Sequence, residues 1–367
     1  MALSLTSLED ACRLLLESVG PTAIQQVSIS DALGCASAGF VAPSPLPDRL
    51  VAVYDGWAVF SQDCVGASSY SPVPLATAPA WVENGDALPD GCDGVIRPDG
   101  LDVATSVPQI ICELRPGEGV RRVGEDVSPG TVILRSGQRI DELSLLIAAR
   151  FGLKMLPIRR PKVGLINVSA EDGNSSTTGY IRHLASRSGA LIEHVIVGER
   201  SVQAIRAALN CLEADLIVTV GGTGEGRADA TVEALGPECL IAHGIALAPG
   251  RTGAIGKSGQ IPVVCLPGAL EDALAVWWSL GLPVLDRLIG LERSSETRPV
   301  RRKIASAAGI SDVVLLAREQ ENWLPLSVGR LPLAALIRAE AWMAIPSQSE
   351  GFAPGTPCTA YVFDDGA

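Results

Sequence analysis

Apolar and polar positions follow two different rhythms along this chain. Near the start, Leu8, Ala11, Leu15 and Val19 recur at helical spacing behind Thr6 and Glu9, which read as a capping box. VSISDALG (Val27–Gly34) follows, and then Pro43, Pro45 and Pro47 interrupt any regular period. Proline fixes its own backbone and removes a donor, so this stretch is expected to be a rigidly shaped loop that runs into a short strand at YDGWAVF. From about Gly66 to Ile140 the apolar runs are short and glycine and proline are frequent, predicting an all-β insertion. IDELSLLIAARFG (Ile140–Gly152) returns to helical spacing and stops at glycine.

Beyond Arg159-Arg160-Pro161 the rhythm changes again. KVGLINVS and LIEHVIVG read as strands, TGYIRHLASRSGA and SVQAIRAALNCLEA as helices. LIVTV (Leu216–Val220) is a strand apolar at nearly every position, and ATVEALG a short helix after it. IPVVCLPGALEDALAVWWSLGLPVLDRLIG completes the series as strand, tight turn and long helix. Strands alternating with helices at this spacing predict a doubly wound, mostly parallel α/β sheet with helices on both faces. From about Arg298 the runs are β-like again (DVVLLARE, AWMAIPSQ, CTAYVFDD). The expected organisation is an α/β multidomain chain. Residues 1–159 form a mixed region with the β insertion at about 66–140, residues 160–295 an α/β domain, and residues 296–367 a small β domain.

Composition narrows the function. With 367 residues and 47% hydrophobic side chains, the chain is long enough for two or three domains. Its net charge of −12 argues against nucleic acid as a main partner, because phosphate backbones need a basic surface. No apolar run has the length of a membrane span. Nine scattered cysteines without a CxxC pair read as free thiols in a reducing cytoplasm. The three histidines lack the spacing of a transition-metal site.

Candidate chemistry sits where strands end. In a parallel α/β sheet, ligands bind at the carboxyl ends of the strands. Three loops fall at such ends: NVSAEDGNSSTTGY, GGTGEGRAD and LPGALEDA; ALAPGRTGAIGKSG joins strands near the same end. GGTGEG places four glycines in six residues directly after a buried strand. Glycine allows positive φ and lets amides approach an anion, and the following helix adds partial positive charge. The spacing is neither GxGxxG nor a P-loop, since Arg251 stands where the P-loop preceding Gly256-Lys257-Ser258 needs glycine. Among the carboxylates, Asp55 ends the proline-shaped loop and Asp229 closes the glycine loop. Carboxylates beside a phosphate site often hold Mg²⁺.

Taken together, these stretches resemble the molybdopterin molybdenumtransferases (MoeA and the E domain of gephyrin) over essentially the whole chain. PSPLPDRLVAVYDGWAV is similar to the family's P-x-x-P-P-x-x-x-x-S-A-M-D-G-Y-A-V segment. GVRRVGEDVSPG matches its R-R-x-G-E-D segment, and DLIVTVGGTGEGRAD its D-x-V-x-T-x-G-G-x-S-x-G-x-x-D segment. ALAPGRTGAIG resembles the P-G-K-P loop and VVCLPGALEDAL the L-P-G-N-P turn.

The resemblance implies insertion of molybdate into adenylylated molybdopterin with release of AMP, a divalent metal (Mg²⁺), and a cytoplasmic homodimer whose cleft is shared between chains. A molybdoenzyme or another cofactor-synthesis protein is the expected receiver of the product. Carried over by position, Asp55, Asp126, Glu171 and Asp229 are the catalytic acids, with Asp55 and Asp229 as metal ligands. Asn84, Ser169, Gly221, Gly222, Thr223, Gly224, Gly226, Pro249, Gly250, Arg251, Pro267 and Gly268 are the pterin-binding set. Several family side chains are replaced. A serine becomes Ala52 and a threonine becomes Asn84. In the S-T-G-D-E segment Ala170 stands where the family has a carboxylate. The serine of G-G-x-S is Gly224, and the last two residues of L-P-G-N-P are Ala269 and Leu270. Three readings therefore stay open: a working transferase, a paralogue that binds molybdopterin or the finished cofactor as carrier or chaperone, and a dimeric scaffold with a vestigial cleft.

Overall fold

The computed structural model describes residues 5–104, 107–168, 176–197, 200–224, 226 and 229–363. Chain contacts divide it into two compact units. One comprises 1–39, 135–142 and 155–367; the other comprises 40–134 and 143–154.

The larger unit is organised around a six-stranded sheet. Its elements in chain order are β1 (Lys162–Asn167), α1 (Ser176–Arg187), β2 (Leu191–Ile196), α2 (Val202–Cys211), β3 (Leu216–Val220) and α3 (Thr231–Leu235). β4 (Leu240–His243), β5 (Ala254–Ser258), β6 (Ile261–Leu266) and α4 (Leu270–Val276) follow. A π-helical turn, Trp277–Gly281, continues α4 into α5 (Leu282–Ile289). The sheet order is β2-β1-β3-β6-β5-β4. The first four strands are parallel, as the alternation predicts; at one edge β5 runs antiparallel to β6, and β4 antiparallel to β5. The segment expected only to join strands, Ala246–Gly259, thus contains a strand of its own.

All five residues of β3 are buried, and they divide between two cores. Val218 and Val220 pack with Ile181 of α1 and Trp277, whereas Ile217 packs with Ile205 and Leu209 of α2 and Leu235 of α3. Period-two alternation inside a continuous apolar run is how a strand feeds helices on both faces.

The N-terminal helix, Leu8–Leu16, adds Ala11 and Leu15 to the first core, each fully buried. Burying one such leucine is worth about 1.5–3 kcal/mol. Its cap differs from expectation: Ser7 Oγ accepts the Asp10 amide at 3.1 Å. Thr6 is instead paired as an isolated bridge to Ile245, and Glu9 accepts the amide and hydroxyl of Ser347, each at 3.1 Å. A threonine one residue too early cannot cap a helix when its backbone is held by a neighbouring strand. The C-terminal strands Ser295–Pro299, Ser311–Glu319, Ala341–Ala344 and Pro357–Val362 form a second sheet, which Leu247–Ala248 joins by pairing with Ser311 and Asp312. Trp323, fully buried, anchors its core.

The smaller unit is built of short strands, as its punctuation suggests. Gly56–Val59 lies between Ala80–Val82 and Gly94–Ile96, and a second sheet joins Val73–Pro74, Gln109–Ile110 and Leu101–Asp102. The glycine of Asp55-Gly56 is required sterically, since a Cβ there would collide with the Ile96 carbonyl. Among the described residues no helix is long and apolar enough to cross a membrane, and all nine cysteines are free.

Candidate active site

Sheet register brings three strand ends level: Asn167 faces Val220, and Val220 faces Leu266. The chains leaving those ends are tied together. The Val168 amide donates to Val220 O and the Gly221 amide to Leu266 O, each at 2.9 Å. Thr177 Oγ1, in the first turn of α1, donates to Gly268 O at 3.1 Å. Antiparallel β5 starts at the same end, with Ala254 opposite Cys265, so the Pro249–Arg251 loop arrives there too. Gly221, Gly222, Thr223, Gly224, Gly226, Asp229, Pro249, Gly250, Arg251, Pro267 and Gly268 therefore gather at one end of the sheet. Arg251 is exposed there.

The glycine loop owes its composition first to packing. Gly221 and Gly222 have φ of 97° and 71°, which favour glycine. A Cβ on Gly221 would strike the Val168 carbonyl, and one on Gly222 would lie 2.5 Å from Thr231 Oγ1. That hydroxyl donates to Gly221 O at 2.9 Å, and the Thr231 amide donates to Gly222 O at 3.0 Å, clamping the loop to α3. Asp229 closes the other half. Its Oδ2 accepts the Gly226 amide at 2.9 Å and its own amide donates to Gly226 O at 3.0 Å. The Gly221 and Gly226 amides are thus engaged within the protein. Thr223 is 1% exposed, and its hydroxyl is buried without a hydrogen-bond partner.

Three participants escaped the sequence reading. His243, at the end of β4, contacts Thr223 O through Nε2 at 3.0 Å. Asp272 accepts the Gly250 amide at 2.7 Å, and burial raises its carboxyl above the ordinary value. Buried Asn167 accepts from Thr178 Oγ1 at 2.9 Å. His243 lacks metal-ligand spacing, and its role depends on an edge strand with no strong period. Asp272 follows the turn by four residues, the only local signal of its contact with a distant loop.

The remaining calls belong to the smaller unit or lie outside the described residues. In the smaller unit Asp55 Oδ1 accepts the Asn84 amide at 2.8 Å, so these two exposed residues are brought together. Asp126 pairs with Arg121 at 3.3 Å, with both side chains half exposed, a contact worth at most about 1 kcal/mol. Ser169 and Glu171 lie outside the described residues. Among the described residues no three His, Cys, Asp or Glu side chains are grouped as a metal cage requires.

Comparison with known proteins places this architecture. Residues 6–152 match the MoeA N-terminal region (domain I and II), and residues 167–287 match a probable molybdopterin binding domain. Molybdopterin molybdenumtransferase 2 of Mycobacterium tuberculosis is 28% identical, with 82% of this chain and 84% of the relative covered. Molybdopterin molybdenumtransferase of Synechococcus elongatus is 26% identical over 95% and 97%. A molybdopterin biosynthesis MoeA protein of Pyrococcus horikoshii superposes with a TM-score of 0.75 at 24% identity, covering 98% of this chain and all of that one, which establishes the fold. The chain belongs to the MoeA family of molybdopterin molybdenumtransferases.

Proposed function

We propose that this protein acts in molybdenum cofactor biosynthesis, inserting molybdate into adenylylated molybdopterin and releasing AMP. The observation that carries the reading is the convergence of the Gly221–Asp229, Pro249–Arg251 and Pro267–Gly268 loops at the carboxyl ends of β1, β3 and β6, inside the segment matching a molybdopterin binding domain. In this reading Arg251 faces the anionic parts of the substrate, since a guanidinium fork suits phosphate and oxyanion geometry. His243 and Asp272 position rather than react: one holds the carbonyl of Thr223, the other the amide of Gly250. Asp229 holds the loop closed at Gly226.

Asp55 and Asp229 are the proposed carboxylates for a divalent ion, with Asp126 and Glu171 as further acids of the reaction. Mg²⁺ commonly takes only one or two carboxylates and fills its shell with water and substrate phosphates. When bound, such an ion supplies neutralisation of phosphoryl charge. We propose in addition a cytoplasmic homodimer that passes its product to a molybdoenzyme or another protein of the pathway. Relatives named as transferases over most of the chain support the working enzyme, and the binding-only carrier has no structural observation of its own. Complementation tests the reading. Expression in a bacterium lacking its own molybdenumtransferase is expected to restore nitrate reductase activity at ordinary molybdate. Soluble protein that restores none, even at elevated molybdate, would overturn it.

A further inference from the structure

A second concave surface lies at the other end of the same sheet. Arg160 precedes β1 and Leu191 begins β2, and the Leu191 amide donates to Pro161 O at 2.9 Å. Around these amino ends is an open cavity of about 750 Å³. Its basic side chains are Arg139, Arg160, Arg182 and His183, with no carboxylate among the lining residues. Gly179, Arg182, His183 and Ser186 enter it from α1 at positions i, i+3, i+4 and i+7, one face of the helix. Leu33, Leu191 and Ile192 give it an apolar side.

Three guanidiniums around one cavity is an unusual arrangement in a chain of net charge −12. None of them takes part in an ion pair among the described residues. The nearby carboxylate of Asp31, whose charge acts on Cys35 of the lining, is held by Ser28 Oγ at 2.6 Å. Convergent arginines without a protein counter-charge repel one another until an anion joins them, and their planar forks match phosphate oxygens. The size suits a small ligand rather than a macromolecule, since ligand cavities run to roughly 300–1,000 Å³. The net negative charge points the same way. Exposed charges act mainly within a screening length of about 8 Å, so a small anion inside the groove feels chiefly the arginines, whereas an extended polyanion such as nucleic acid would also lie against acidic surface around it.

We propose that this groove is a second anion site, separate from the candidate active site, for a small organic phosphate: its phosphates on Arg139, Arg160 and Arg182, its apolar body on Leu33, Leu191 and Ile192. The assignment is independent of the proposed transferase reaction. Calorimetric titration of the full chain at low salt with ADP, and separately with inorganic pyrophosphate, tests it. Saturable binding is expected, weakened at least tenfold by R160A/R182A and unchanged by R338A, an exposed arginine outside the groove. Pyrophosphate binding as well as ADP assigns the affinity to the arginines; tighter ADP adds the apolar wall. Gly179→Leu is the second variant: a Cβ built at Gly179 meets nothing within 4 Å, so the side chain fills the groove without disturbing the helix, and it too is expected to abolish binding. Absence of saturable binding to either probe, or binding lost in R338A and retained in both groove variants, would overturn the proposal.

Discussion

Asp229 holds the Gly226 amide at 2.9 Å with the same carboxylate oxygen that lies 2.6 Å from where a Cβ on Gly224 would stand. A serine at 224 and Asp229 in its present position are incompatible. Gly224→Ser is therefore expected to expel the carboxylate from the loop and to cost about 1 kcal/mol, the worth of one hydrogen bond. Combined with Asp229→Ala it should cost clearly less than the sum of the single changes. Urea denaturation of the four proteins measures this, and strict additivity would contradict the contact.

The clamp between the loop and α3 gives a larger effect. Gly222→Ala combines a φ of 71° with a Cβ 2.5 Å from Thr231 Oγ1. Strain and collision together are expected to cost about 3 kcal/mol. Thr231→Val removes the buried hydrogen bond to Gly221 O and should cost about 1–3 kcal/mol. Thermal melts near the parent value for both variants would show that the clamp is unimportant.

Asp272 sets a pH dependence. Burial, the largest influence, raises its carboxyl pKa; the Gly250 amide opposes this and the charge of Glu271 adds to it. A raised folded-state value means that the native state holds the proton more tightly than the unfolded chain. Stability from this group is therefore present at low pH and lost as pH rises from the ordinary carboxylate value through the raised one. Asp272→Asn keeps an acceptor for Gly250 and removes the titration. The stability of the variant relative to the parent should rise across that window and level off above it. Parallel denaturation curves from acid to neutral pH test this; a difference that is flat or falls with pH would refute it.

Thiol reactivity separates buried from exposed cysteines. Burial pushes Cys64 and Cys265 up to about 11, while Cys211 is exposed. The thiolate is the reactive form, so alkylation at pH 8 should label Cys211 first and leave Cys64 and Cys265 unmodified until the chain unfolds. Peptide mass spectrometry of folded protein carrying label on Cys265 would contradict the packing of β6.

Much of this was legible from residue order because the strongest signals are local. Leu216–Val220 announces a buried strand, and the glycines after it announce a turn at the strand end. Strands β4 and β5 were not foreseen, because Leu240–His243 and Ala254–Ser258 carry neither alternation nor a long apolar run, and pairing with β6 makes them strands. The cap moved from Thr6 to Ser7 because the backbone around Thr6 is engaged by Gly244 and Ala246, a contact between residues far apart in sequence. The reason for the glycines also changed in emphasis. Gly221 and Gly222 serve close packing against Val168 and Thr231 before they serve any ligand. His243 and Asp272 entered the site only through three-dimensional neighbours.

The most direct test of the central claim is release of AMP from adenylylated molybdopterin by the purified protein, with and without molybdate. The account predicts molybdate-dependent release that falls by at least about a hundredfold in Asp229→Ala, since groups that act as a unit lose their function together. Tight retention of the pterin with no AMP released at any molybdate concentration would contradict it.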